Sequence, residues 1–376
     1  MPFLSTLGSG STASLGFGKY DHYPFNGFNA VAYHPGNIVG NFTDIACNSS
    51  GTMIAVGADN SNNGYYSIST NGTTWTTPAL FNGVSGANMY NPGIAVSPTT
   101  GLWVAVGQNG NTPTYSYSSN NGVTWTTPAA LAGFASQFGI GTGKIACNTN
   151  GVWVVVGTTS GLTMGYSTSA NGTTWTTPVT LGASTSNGGL DGIAWKSSTG
   201  TWVSVGNANN GLFYTTSTNA TSWSTITSTA NTTASIYFNN LSISPLGTFF
   251  TCGADNGNGG SGNSGRFYYW TSTNGTVWSG PNLINGNTTA MSTNGGYSAF
   301  GITGKLVVVT YTTANSTGTP YYYFTSDLVN WTGPVAMVAT NGYTPNSICF
   351  NPVLGKYVTV GRDYSNGNIF AYTISK

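Results

Sequence analysis

The stretch Ser69-Thr70-Asn71-Gly72-Thr73-Thr74-Trp75 recurs along the chain. It returns as Ser119 to Trp125 and Ser169 to Trp175, and in looser form as Ser217 to Trp223, Ser272 to Trp278 and Thr325 to Trp331. Successive tryptophans stand 50, 50, 48, 55 and 53 residues apart (75, 125, 175, 223, 278, 331). A period of this length means copies of one supersecondary unit, none of which can bury its apolar face alone.

Each copy reads as four short strands. In the first copy they are expected near Ile45-Cys47, Met53-Val56, Tyr65-Thr70 and Thr74-Thr77. The second strand is an unbroken apolar run, as in Trp103-Val104-Ala105-Val106-Gly107 and Val152-Trp153-Val154-Val155-Val156-Gly157, which suits burial on both faces. The third alternates aromatic and hydroxyl residues (Tyr115-Ser116-Tyr117-Ser118), and Asn-Gly then marks a hairpin into the tryptophan strand. Second strands number seven but tryptophan strands six, so the last copy lacks a strand that a spare N-terminal segment can supply. That is the arithmetic of a closed ring. The fold expected is all-β: a seven-bladed β-propeller of four-stranded antiparallel blades over residues 24–376, closed by a strand at 24–32 with Phe28 in place of a tryptophan.

The turn resembles the Asp-box of sialidase-like propellers in a short form, [Ser/Thr]-x-[Asn/Asp]-x-x-x-Trp. The matching positions are Asn71 and Trp75, Asn121 and Trp125, Asn171 and Trp175, Asn219 and Trp223, Asn274 and Trp278, and Asp327 and Trp331. The resemblance implies that the polar residue caps the turn and the tryptophan packs between blades. Only Asp327 keeps the acid; asparagine still accepts backbone N–H bonds.

Composition narrows the function. Charged residues are 4% of the chain, there are 8 Lys and Arg and 7 Asp and Glu, and no glutamate occurs. Net charge is +1, so neither a nucleic-acid stripe nor an acidic tail exists. No apolar run nears the length of a membrane span, and the first residues lack the basic start and apolar core of a secretory signal. The cysteines stand at comparable places (Cys47, Cys147, Cys349, with Cys252 one strand on), too far apart around a ring for disulfides, and read as small buried side chains. No metal site or cofactor is expected, because no CxxC spacing exists and His22 and His34 are the two histidines.

Sialidase chemistry lacks its parts here: an arginine trio is impossible with two arginines, Arg266 and Arg362, and no glutamate can support a nucleophile. Three carboxylates close second strands: Asp59, Asp255 and Asp363, on the face opposite the box turns, where propellers usually bind ligands. Asp59 and Asp363 fall in neighbouring blades and could serve glycoside hydrolysis, a cation or sugar hydroxyls; the other reading is a carboxylate satisfying its own turn. With Arg362, Tyr364 and Arg266 they form the candidate ligand-binding set. Loop aromatics on that face include Phe81, Tyr90, Phe134, Phe138, Tyr297, Tyr311 and Tyr343.

Residues 1–23 read as a Gly/Ser-rich docking arm, with Phe3, Leu4 and Phe17 as anchors. Met1-Pro2-Phe3-Leu4-Ser5-Thr6-Leu7-Gly8 and Gly16-Phe17-Gly18 resemble the N-termini of marine bacteriophage structural proteins. The expected function is a non-enzymatic virion surface protein attaching to a host surface or glycan, extracellular after lysis, with other virion proteins as partners of the arm. The alternatives are a free-standing propeller lectin and a polysaccharide-cleaving glycosidase acting through Asp59 and Asp363.

Overall fold

The computed structural model describes residues 25–81, 89–110, 112–131, 133–134, 144–159, 163–182, 189–208, 211–229, 236–255, 265–284, 291–292, 295–312, 318–337 and 342–376. The docking arm, with Phe3, Leu4 and Phe17, lies outside them, as does Phe138.

Seven antiparallel sheets follow one another along the chain. Blade 1 is Gly40–Cys47, Met53–Asp59, Gly64–Ser69 and Ala79–Leu80, and blade 2 is Tyr90–Val96, Trp103–Asn109, Thr112–Ser118 and Ala129–Ala130. Blade 3 is Ile145–Cys147, Trp153–Thr158, Met164–Ser169 and Val179–Gly182, and blade 4 is Gly189–Lys196, Thr201–Ala208, Gly211–Ser217 and Thr227–Ser228. Blade 5 has its first strand in two pieces, Ile236–Phe238 and Ser242–Ile243, then Phe249–Asp255, Phe267–Ser272 and Ser279–Leu283. Blade 6 is Tyr297–Phe300, Leu306–Tyr311, Pro320–Thr325 and Thr332–Ala336. Blade 7 takes Tyr343–Asn351, Lys356–Asp363 and Ile369–Ile374 from the C-terminal end and Ala32–Tyr33 from the N-terminal end. The fold is the seven-bladed propeller expected.

The core is divided among the blade interfaces. The apolar second strands are covered on both faces, so Met53, Ile54, Ala55 and Val56 are all fully buried, and Trp103, Trp153 and Trp202 are among the largest buried side chains. One apolar cluster fills each of seven junctions, including that between blades 7 and 1. A ring built this way leaves only short edges, the inner ones lining the channel.

Closure follows the expected logic with a shifted register. Ala32 and Tyr33 pair with Tyr372 and Ala371, and Phe28 makes an isolated bridge to Ser375, so the ladder runs one residue beyond the expected 24–32. Phe28 is 1% exposed and its ring meets Tyr322 edge-on at 5.5 Å. It occupies the place that a tryptophan holds in the other blades.

Three expectations need correction. The tryptophans do not lie in the fourth strand, which begins after Pro78 at Ala79 in blade 1 rather than at Thr74. Between turn and strand, the Thr76 hydroxyl accepts the Ile68 N–H at 3.0 Å, and Ser67 Oγ donates to the Thr76 carbonyl at 2.7 Å. A side chain thus takes a ladder position and regular pairing resumes only beyond the proline.

Asn121 is not the cap of its turn. Asn120 Oδ1 accepts the Thr124 N–H at 3.0 Å and Ser118 Oγ accepts the Gly122 N–H at 2.9 Å, because blade 2 carries one extra residue before its tryptophan. Asn121 instead sits at φ 57° and receives bonds from Asn48 Nδ2 of blade 1 and Trp103 Nε1.

Cys349 pairs with Val358, the register at which blade 1 places Ala46 opposite Ile54, whereas Cys47 and Cys147 face Met53 and Trp153. Cys349 is therefore offset by one residue and turns towards blade 1. All four thiols are free and buried, and burial raises each above the ordinary thiol range.

Candidate functional site: the mouth of the central channel

First strands line the channel, and each enters at the face where second strands end. Along them lies a collar formed by Ile45, Ile94, Ile145, Ile193, Leu241 and Ile348, interrupted at Ser298 of blade 6. The cavity inside has a volume of about 130 Å³. One register earlier stands a polar girdle. Asp44, 7% exposed, accepts the Ser347 hydroxyl at 2.7 Å and the Ile94 N–H at 3.0 Å, so one carboxylate joins blades 7, 1 and 2. Asn240 Nδ2 donates to the Ser298 carbonyl at 3.0 Å, and Ser298 Oγ lies 2.8 Å from Ser242 Oγ, which joins blades 5 and 6. These groups bond one blade to the next around the channel.

The expected carboxylates are spent on their own turns. Asp59 accepts N–H bonds from Ser61 at 2.8 Å and Asn63 at 2.9 Å, and the Asn63 side-chain amide at 2.9 Å. Asp255 accepts the Arg266 N–H at 2.9 Å. Asp363 is fully buried and accepts from the Tyr33 hydroxyl at 2.8 Å and from Ser365 N–H and hydroxyl at 2.9 and 2.6 Å. Asp363, sealed in this way, cannot reach a substrate, and Asp59, half-buried, is bonded to its own loop. Among the loop aromatics, Phe81, Phe134, Tyr297 and Tyr343 are tucked between blades.

What faces solvent at the mouth is different. Tyr90, at the start of the first strand of blade 2, pairs with Gln108 and is 50% exposed. Tyr237, at the corresponding place in blade 5, pairs with Ala254 and is 44% exposed. Both pair with the residue one position past the glycine that ends each apolar second-strand run, Gly107 and Gly253. Tyr237 was missed in the sequence because no local motif surrounds it; aligning each first strand backwards from that glycine would have found it.

Arg362, half-buried in blade 7, stands two blades from either tyrosine. Its Nη2 donates to Tyr364 Oη, and its Cζ lies 4.1 Å from the centre of the Tyr364 ring. Its Nε is buried without a hydrogen-bond partner. Burial lowers its pKa from the ordinary guanidinium value, and the phenols of Tyr311 and Tyr90 are near enough to bear on its charge. Burial in turn raises the phenols of Tyr311 and Tyr297. Arg266, at the end of its loop in blade 5, is exposed. The structure thus places Arg362 and Tyr364 in contact, with Tyr311 in the neighbouring blade and Tyr90 two blades away. No helix of the described residues is long and apolar enough to cross a membrane.

No protein-family model matches the chain, and no curated protein matches it. Solved structures do. A lectin from Burkholderia pseudomallei superposes with a TM-score of 0.66 at 13% identity, covering 88% of this chain and 94% of the lectin. A xyloglucanase from Xanthomonas campestris gives 0.60 at 12% identity over 90% of this chain and 54% of that enzyme. The NanB sialidase of Streptococcus pneumoniae gives 0.52 at 13% identity over 93% and 71%. At such identities the likeness is one of fold. It nonetheless overturns the expectation of a non-enzymatic protein. The neighbours, which also include an arabinofuranosidase and a polysaccharide lyase, are mostly carbohydrate-active enzymes, with a lectin among them.

Proposed function

We propose that this chain recognises carbohydrate at the channel mouth. The observation that carries the reading is the pair of exposed tyrosines, Tyr90 and Tyr237, held at one register position on opposite sides of the mouth from each other. A sugar ring offers an apolar C–H face and a rim of hydroxyls, and tyrosine offers a flat apolar face with a polar tip at low entropic cost. Rigid first strands hold both rings, so little ordering is left to the moment of binding. The neighbours' names, a lectin and several carbohydrate-active enzymes, support the same ligand class.

A glycan array probed with the purified chain tests this. Signal on saccharide features that falls in Tyr90→Ala is expected, and an array without saccharide signal contradicts it. Product analysis on the saccharide that binds separates recognition from processing. For the setting we carry forward a virion surface meeting host glycans, a proposal from the sequence; mass spectrometry of purified particles that lack the chain would remove it.

A further inference from the structure

We infer that the saccharide taken at this mouth is acidic, with a carboxylate or sulfate on an internal sugar of a chain lying across Tyr90 and Tyr237 and facing Arg362. The inference rests on the carbohydrate reading and adds the ligand's charge to it.

The chain holds two arginines in 376 residues, and one of them is placed half-buried at the mouth. Taking a guanidinium out of water is costly unless an anion or full hydrogen bonding compensates. Within the described residues Arg362 has neither. The ion pair they contain joins Lys144 to Asp191. The adjacent carboxylate, Asp363, accepts from Tyr33 and from its own turn. Nε of Arg362 is closed off without a partner.

The Tyr364 ring stacked on the guanidinium fixes its plane and excludes water from one face. What remains is an oriented planar donor edge, the geometry that meets a two-oxygen anion with paired N–H bonds. Lysine would offer only a point charge there. The positions of the tyrosines set the ligand's course. One stands two blades from Arg362 on one side and the other two blades away on the other side, so a chain stacked on both passes the arginine mid-length rather than ending at it. General attraction of polyanions is excluded as the cause, since the whole chain carries a net charge of +1.

The test measures affinity at physiological salt for polygalacturonate, which carries carboxylates, for dextran sulfate, and for neutral dextran, using wild type, Arg362→Gln and Arg362→Lys. At least one acidic polymer is expected to bind wild type about tenfold or more tighter than dextran, the scale of one charge-assisted bidentate contact. The acidic polymer that wins identifies the anion. Arg362→Gln is expected to erase the preference and leave dextran binding within about twofold. If Arg362→Gln lowers the melting temperature, Arg362→Lys serves instead: it keeps charge and loses the planar fork, so acidic polymers weaken several-fold while dextran does not. Wild type that binds dextran as tightly as both acidic polymers overturns the inference alone, as do arginine variants that keep the acidic preference. Wild type that binds no saccharide, neutral or acidic, overturns the carbohydrate reading itself.

Discussion

Tyr372, on the third strand of blade 7, donates its phenolic proton to the Thr73 carbonyl of blade 1 at 2.6 Å, and its ring lies 5.6 Å from that of Trp75. The same two contacts recur around the ring. Tyr115 reaches Thr173 at 2.7 Å and meets Trp175, Tyr166 reaches Thr221 at 2.6 Å and meets Trp223, and Tyr214 reaches Thr276 at 2.7 Å and meets Trp278. Tyr269 does so with Leu328 and Trp331. The period of the sequence is thus a period of interfaces: each of these copies supplies a tyrosine to the next copy's turn. Tyr372→Phe is expected to cost about 1 kcal/mol, the net worth of one such bond. Trp75→Ala, which opens a cavity against Tyr372 and His34, is expected to cost about 3–5 kcal/mol. Denaturant titration of both variants measures the difference, and equal costs would contradict this division.

At the closure Tyr322 lies against Gly27 and Phe28 rather than against a tryptophan turn. Gly27 has φ +90°, and a Cβ there would lie 2.7 Å from Tyr322 Oη. Gly27→Ala is therefore expected to destabilise by about 1–3 kcal/mol through the left-handed backbone and the contact together. Deleting residues 1–32 goes further: it removes Phe28, Asn29 and Ala32 from the edge of Ile369–Ile374 and leaves most of that sheet edge open. Aggregation on size-exclusion chromatography is expected, and a monomeric truncated protein with unchanged melting would contradict it.

His34 makes closure sensitive to acid. It is 1% exposed, packed on Phe42, Trp75 and Tyr372, with Nδ1 3.1 Å from Ser67 Oγ. Ser67 gives its own proton to the Thr76 carbonyl, so Nδ1 carries the hydrogen and Nε2 stays bare and unpartnered. Burial lowers the His34 pKa from 6.5 to about 3. The folded state therefore binds this proton more weakly than the unfolded chain does. Full stability holds above pH 6.5 and falls by up to about 1.4 kcal/mol per pH unit as the pH drops from there towards 3. Asp327, whose carboxylate is held below its ordinary range by Asn330 and by backbone N–H bonds, adds a loss only at lower pH. Melting temperatures of wild type and His34→Phe between pH 7 and pH 4.5 isolate the histidine. A shallower acid slope is expected in the variant, and identical slopes would contradict it.

The ring was legible because seven apolar runs ending near glycine and six tryptophans demand one missing strand. Finer features were not. The fourth strand was misplaced because a tryptophan after a hairpin looks like strand, while Thr76 and Pro78 set where pairing resumes. Asn121 was misassigned because the Asn-Gly pair was aligned, whereas the fold aligns Ser118 with the third strand's end. Asp59 and Asp363 drew notice because Gly-x-Asp recurs on the ligand face; the recurrence reflects a recurring turn. Tyr237 and Asp44 depend on first-strand register, which bulges between Phe42 and Asp44 and between Tyr90 and Gly93 disguise in a single sequence.

The most direct measurement is the affinity of the saccharide found on the array for wild type and for Tyr90→Ala/Tyr237→Ala, with melting temperature as the control. Both side chains are about half exposed, so the double variant is expected to fold with little change in melting. Each lost sugar stack is expected to cost about 0.5–1.5 kcal/mol, for a combined loss of roughly tenfold or more in affinity. Undiminished binding by a folded double variant would place the carbohydrate site elsewhere and contradict the assignment of the mouth.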